Sequence, residues 1–274
     1  MVKLPLRKFN IEMSQNDPFR IKESQLDKVS FADMTWDYHF ERSSYYVKRE
    51  TIKKDRIILE VSVENRQIIN DVFITYISNF VLFKNDFNKD VLFFIQSFLG
   101  RMIKTSKIIQ DLIVKGNYIE SKSLLRDNFE RGIKLQYFIF NEKEFYEYHN
   151  TKSKNDKKYN LRRLSEKTKN NYNLYRWLCG FVHPHFHPQD ADILSFGKEE
   201  YLLVSSFNSF CEEESYNLLA LNNNLLVFTF KEIIRSLEGY FPKKEIYGNI
   251  KESLSKIPKL EFIYESLPRS IRQY

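Results

Sequence analysis

Cysteine is scarce in this chain. Its 274 residues hold only Cys179 and Cys211, too few for a disulfide framework, and neither belongs to a Cys-x-x-Cys pair that would suggest zinc or dithiol chemistry. That usage points to a reducing, cytoplasmic setting. Glycine and proline are sparse too, at 7 each, which excludes collagen-like, linker-like and glycine-rich barrel architectures. No apolar run is long enough for a membrane span: the most apolar stretch, 91–99, is interrupted by Gln96 and Ser97 and followed by Arg101 and Lys104, as in a core helix. Residues 1–19 carry Lys3, Arg7 and Lys8 but no continuous apolar segment, so they do not read as a secretory signal. Walker, Gly-x-Gly-x-x-Gly, Gly-x-Ser-x-Gly and His-Glu-x-x-His motifs are also missing, which removes the common nucleotide, hydrolase and zincin signatures.

What remains is apolar and aromatic. Hydrophobic residues make up 42% of the chain, with 24 Phe and 17 Tyr, enough for a sizeable core. The expectation is a mainly α fold, a helical bundle with a small N-terminal β-hairpin and a second short hairpin as an option. Residues 56–64 place Ile57, Leu59, Val61 and Val63 on alternate positions, a half-buried strand pattern with 45–51 as its hairpin partner. Residues 66–83 repeat apolar positions at three and four, as a helix does. The strongest pattern runs from Asn88, an N-cap, to Gly116, a C-cap. A second helix over 118–140 follows the short Gly116-Asn117 link, so the two are antiparallel neighbours.

Residues 152–170 read as a polar loop leading into a helix that continues through Tyr175 to Val182, where Pro184 stops it. A hairpin is a candidate around Gly197-Lys198 within 193–207. The last long helix, 215–240, is apolar nearly all round near Leu225, so it is either central to the core or shared with a second subunit. These patterns divide the chain into an N-terminal extension (1–87), a helical core (88–240) and a C-terminal arm (241–274).

The net charge of +7 favours an anionic partner through its long-range field. Three of the five histidines, His183, His185 and His187, fall in one short proline-bounded stretch. Arg176 and His183 are seven apart, which on a helix leaves them only about 20° apart in rotation and roughly 10 Å apart along the axis. One fixed cation and one titratable base on a common face suit acid–base chemistry on a phosphate. The bland alternative is an arginine capping a carboxylate and a histidine bonded to a backbone carbonyl. His183, His185 and His187 also make a transition-metal site an option, against the simpler reading of a solvated loop stiffened by Pro184 and Pro188. The basic run Lys152, Lys154, Lys157, Lys158, Arg162 and Arg163 can track an RNA backbone or serve only as a solvated face.

Two patterns carry a resemblance. Leu124-x-Arg126-x-x-x-Glu130, followed by Tyr175-x-x-Leu178-Cys179-x-x-Val182-His183-Pro184, resembles a bacterial family of the HEPN superfamily, and the Arg176-x(6)-His183 spacing resembles that superfamily's Arg-x(4–6)-His motif. Cys179 stands where the pattern has serine, and Trp177 follows the motif arginine where active nucleases frequently carry a polar residue. The resemblance spans about 88–240. It implies a bundle that often dimerises and a metal-independent endoribonuclease of toxin or antiphage systems, with no cofactor. In that role His183 exchanges protons with the ribose 2′-hydroxyl or the leaving 5′-oxygen, and Arg176 holds the phosphate. Arg126 and Glu130 would form a supporting shell, with Glu130 orienting Arg176 or His183. The expected partners are RNA, a second copy of the chain and a protein of a toxin or defence system, with no membrane. A non-catalytic module binding a protein or nucleotide is the main alternative, and a metal-dependent phosphohydrolase built on the histidine loop is the third.

Overall fold

The computed structural model describes residues 13–14, 17–21, 36–150, 159–168, 172–179, 193–196, 200–203, 211–258 and 260. His183, His185, His187, Lys152, Lys154, Lys157 and Lys158 lie outside these residues.

The chain is mainly helical. Its helices are α1 (Trp36–Lys54), α2 (Arg56–Val72), α3 (Lys89–Val114), α4 (Tyr118–Phe140), α5 (Glu142–Asn150), α6 (Leu161–Thr168), α7 (Tyr172–Cys179), α8 (Glu212–Ser236) and α9 (Lys244–Ser255). A π-helical turn, Phe73–Ile77, extends α2, and short 3-10 turns occupy Phe80–Leu82 and Glu238–Tyr240. Among the described residues, two antiparallel strand pairs accompany the helices, β1 (Met13–Ser14) with β2 (Asp17–Ile21) and β3 (Ile193–Phe196) with β4 (Glu200–Leu203).

The hairpin expected from 45–51 and 56–64 does not form, because both segments are helical, in α1 and α2. The alternation of Ile57, Leu59, Val61 and Val63 is not the pattern that is buried. The buried stripe of α2 is Ile58, Ser62, Asn65, Ile69 and Val72, at spacings of four and three, while Ile57 is 79% exposed. Two members of that stripe are polar, so it reads as solvent-facing until their partners are known. Asn65 finds one across the core, donating to Asn223 Oδ1 at 3.0 Å.

The α3–α4 hairpin forms as the pattern predicts. Asn88 Oδ1 accepts from the N–H groups of Asp90 (2.9 Å) and Val91 (3.3 Å), capping α3. At the other end Gly116 takes φ 81°, a left-handed conformation that costs glycine little. The Gly116 N–H reaches the Ile113 carbonyl and the Asn117 N–H reaches the Leu112 carbonyl, each at 2.9 Å, the paired bonds of a Schellman termination.

Helix α8 is the hub of the bundle and packs against α2, α3 and α4. Of the two options left open for it, the central one holds. Its residues from Asn217 to Val227 are all buried, and Phe228, 39% exposed, is the exception among its large apolar side chains. The apolar circumference is used up within one chain and leaves no surplus face to argue for a second copy. Three consecutive asparagines sit in this buried stretch, and successive helix positions about 100° apart send them to three neighbours. Asn222 Nδ2 donates to the Ser106 carbonyl of α3 at 2.9 Å, Asn223 meets Asn65 of α2, and Asn224 bonds the backbone of Leu260. Where α8 crosses α4, Gly132 permits close approach: a Cβ there would lie 2.9 Å from Thr229 Oγ1.

The region after 241 holds a packed helix. Ile250, Leu254 and Ile257 are buried in the common core, and α9 lies against α2. Burial of such aliphatic side chains stabilises by about 1.5–3 kcal/mol each.

Candidate functional site

Helix α4 carries charged residues every fourth position, at Lys122, Arg126, Glu130 and Lys134. Four-residue spacing keeps them on a slowly turning stripe. Each cation of the stripe stands over an aromatic ring from a neighbouring helix. Lys122 Nζ is 5.5 Å from the Trp177 ring, Arg126 Cζ 5.8 Å from Tyr175, and Lys134 Nζ 5.9 Å from Tyr148. These separations lie within the range of cation–π attraction. Further along the same face, Lys167 of α6 donates to Tyr137 Oη at 3.0 Å, and that hydroxyl in turn donates to Glu144 Oε2.

The three cations of α4 are not equivalent. Lys122 is almost fully buried and forms an ion pair with Glu214 in the first turn of α8. Lys134 bonds Glu130 Oε1 at 2.7 Å. Burial works against its charge, but Glu130 and Tyr148 outweigh it and hold the amine above its ordinary range. Arg126 has less. Its contact with Glu130 Oε2 is long, at 3.9 Å, and its Nε is buried with no hydrogen-bond partner. Burial lowers its affinity for the proton, yet Tyr175, Cys179 and Glu130 together raise it further, so Arg126 is a permanent cation. Guanidinium donors are normally satisfied when they are buried.

Helix α7 faces this stripe because Leu174 and Leu178 are buried and anchor one side of it in the core. Tyr175 and Cys179 then flank Arg126, and Tyr175 and Tyr172 stack with centroids 5.7 Å apart. The Tyr175 hydroxyl is pushed up to about 12, by burial first and then by Cys179, with Arg126 acting in the opposite direction. Arg176 projects from the opposite side of α7 from the two leucines. It is exposed and makes no hydrogen bond or ion pair among the described residues.

The two motifs noted in the sequence therefore meet: Arg126 and Glu130 of α4 lie beside Tyr175 and Cys179 of α7. The carboxylate of Glu130 engages Lys134 and Arg126. Of the basic run, Arg162 is exposed and pairs with Glu166 at 3.2 Å within α6, and Arg163 is also exposed. Among the described residues, no group of three His, Cys, Asp or Glu side chains could hold a metal ion. No described helix is long and apolar enough to cross a membrane.

Sequence reasoning missed Lys122, Lys134, Tyr148 and Lys167. Lys122 and Lys134 continue the Arg126–Glu130 spacing by one turn in each direction, but α4 also carries Glu120, Asp127 and Arg131, so spacing alone does not set them apart. Tyr148 and Lys167 carry no local signature, because their role depends on how α5 and α6 pack. No family model, curated protein or solved structure matches this chain.

Proposed function

We propose that this chain is a HEPN-like, metal-independent endoribonuclease whose site lies at the α4–α7 junction and continues into the segment carrying His183. The observation that carries this reading is Arg126, a half-buried guanidinium held against Tyr175, with a buried unpaired Nε and its nearest carboxylate at 3.9 Å. A cation so placed sets a positive potential at the junction, and aromatic rings beside cations suit a nucleic-acid strand with stacked bases and tracked phosphates.

In this reading Arg176, exposed one residue after Tyr175, binds the scissile phosphate and offsets the charge that builds on it. His183 accepts the ribose 2′-hydroxyl proton while the 2′-oxygen attacks phosphorus. A protonated group then returns a proton to the departing 5′-oxygen, leaving a 2′,3′-cyclic phosphate and a 5′-hydroxyl. Arg126 and Glu130 position α7 and add positive potential behind the phosphate. A single Arg176 and His183 span about two helical turns, so a second copy across a two-fold axis would bring the remaining groups to one phosphate. A toxin or antiphage effector in the cytoplasm is the setting that the resemblance implies.

A second reading, a non-catalytic module that binds a nucleotide or protein at the same junction, is favoured by Trp177. Its ring is committed to Lys122, where active relatives in the resemblance frequently carry a polar residue. RNA cleavage by the purified chain, compared with Arg176→Ala and His183→Ala, separates the two. Loss of cleavage in both folded variants supports the nuclease, and binding of RNA with no cleavage by the parent chain supports the module.

A further inference from the structure

The cations of the α4 stripe are partly neutralised by Glu130 and Glu214, whereas those on the adjoining α3–α4 seam form no ion pair among the described residues. Arg131 of α4 turns to this side, donating to Thr105 Oγ1 of α3 at 3.3 Å and to Asn128 Oδ1 at 3.2 Å. On α3, Arg101 is about one turn before Thr105 on the same side, and Lys104 is the next position around the helix. Both are exposed and neither forms an ion pair among the described residues. The acidic groups of the two helices here are Asp111, whose field acts on Arg66 of α2, and Asp127, which lies one turn before Arg131 on the same side of α4. Around α4, Glu130 and Asp127 separate Arg126 from Arg131, so Arg131 with Arg101 and Lys104 forms a positive patch distinct from the α4–α7 junction.

We infer that this seam of Arg101, Lys104 and Arg131 is a second RNA-binding surface, one that holds the sugar–phosphate backbone of the strand flanking the α4–α7 junction. The inference rests on the proposed RNA-directed function. A single-stranded polyanion fits better than a compact anion, because the groups are spread along one line and no carboxylate interleaves with the two on α3. Exposed Arg101 and Lys104, with no ion pair among the described residues, give up few contacts of their own when a phosphate arrives, and binding gains from release of the cations condensed on the RNA. Recognition here is independent of base identity, since phosphate contacts position a strand without reading its sequence.

The test uses the full chain carrying His183→Ala, so that RNA stays intact, and a fluorescent mixed-sequence single-stranded RNA of about 20 nucleotides. Affinity is measured by anisotropy across rising salt, with and without Arg101→Glu and Lys104→Glu together. Lys243→Glu with Lys244→Glu, exposed positions at the start of α9, serves as a charge-matched control. The expected result is binding at least about tenfold weaker for the α3 pair than for the control, with a log–log salt slope flatter by about 1.4, from 0.7 for each of two lost phosphate contacts. Equal affinity and slope in the α3 pair and the control would overturn the seam while leaving the junction reading intact. If the His183→Ala chain binds no RNA, the RNA reading falls and the seam falls with it. Polyglutamate that displaces the RNA and loses affinity in the α3 pair to the same extent would overturn RNA in favour of an acidic protein partner.

Discussion

Replacing Asn224 with leucine tests the claim that the polar centre of α8 is a set of tertiary contacts rather than an accident of composition. Asn224 is 4% exposed. Its Nδ2 donates to the Leu260 carbonyl at 2.7 Å, and its Oδ1 accepts from the Leu260 N–H at 3.1 Å and from Asn223 Nδ2 at 3.3 Å. Leucine has similar bulk and makes none of these bonds. Three lost bonds at about 1 kcal/mol each, with the groups of Leu260 and Asn223 left unpaired, amount to about 3 kcal/mol. The added apolar burial returns about 1 kcal/mol. The net loss is about 2 kcal/mol, which with a urea m-value of about 3 kcal/mol/M lowers the midpoint by roughly 0.7 M. Asn249→Leu, at an exposed position of α9, should stay within about 0.5 kcal/mol. Amide exchange at Leu260 should quicken in the Asn224 variant alone. A midpoint for Asn224→Leu equal to or above that of the parent, with the m-value unchanged, would refute the account of α8.

Other perturbations probe separate parts of the structure. Gly132→Ala puts a methyl 2.9 Å from Thr229 Oγ1 and 3.2 Å from its Cγ2; despite the helix preference of alanine it should cost about 1–2 kcal/mol, and adding Thr229→Ala should recover most of the loss in thermal melts. Lys122→Met strips Glu214 of its ion-pair partner and should destabilise by about 2 kcal/mol, measured against Lys256→Met as an exposed control. Because Arg126 favours the tyrosinate of Tyr175, Arg126→Ala should move that titration, followed by ultraviolet difference absorbance against a Tyr175→Phe reference, further up; a downward move would mean that the two groups do not face each other. Burial raises the Asp55 carboxyl above its ordinary 3.8, opposed by its hydrogen bond from Ser215. The folded state therefore binds that proton more tightly than the unfolded chain, so this group's contribution to stability falls as pH rises through the carboxylate range. Asp55→Asn should flatten that part of the urea-midpoint profile, and an unchanged profile would argue against it.

The α3–α4 hairpin was legible because its signals are local: an asparagine cap, a regular apolar face and a glycine after the last turn. The body of α8 was legible for the same reason, although its place at the centre depended on partners that sequence does not show. Helix α2 was misread because its alternating Ile57, Leu59, Val61 and Val63 imitate a strand, while its true inward face includes Ser62 and Asn65. At the candidate site, the resemblance singles out Arg126 and Glu130 as support for Arg176 and His183; Glu130 engages Lys134 and Arg126, while Arg176 is exposed with no ion pair among the described residues. Lys122 and Lys134 could not be told from surface lysines, since what distinguishes them is burial against Trp177 and Tyr148. Arg176 falls midway between Leu174 and Leu178, and that spacing alone turns it outward, away from the leucines that anchor α7.

The most direct test of the functional reading is the chemistry of the RNA ends. RNA incubated with the purified chain in excess EDTA should yield fragments ending in a 2′,3′-cyclic phosphate and beginning with a 5′-hydroxyl, resolved by mass spectrometry, and neither Arg176→Ala nor His183→Ala should produce them. Cleavage only with added divalent metal, or fragments bearing 5′-phosphates, would contradict it.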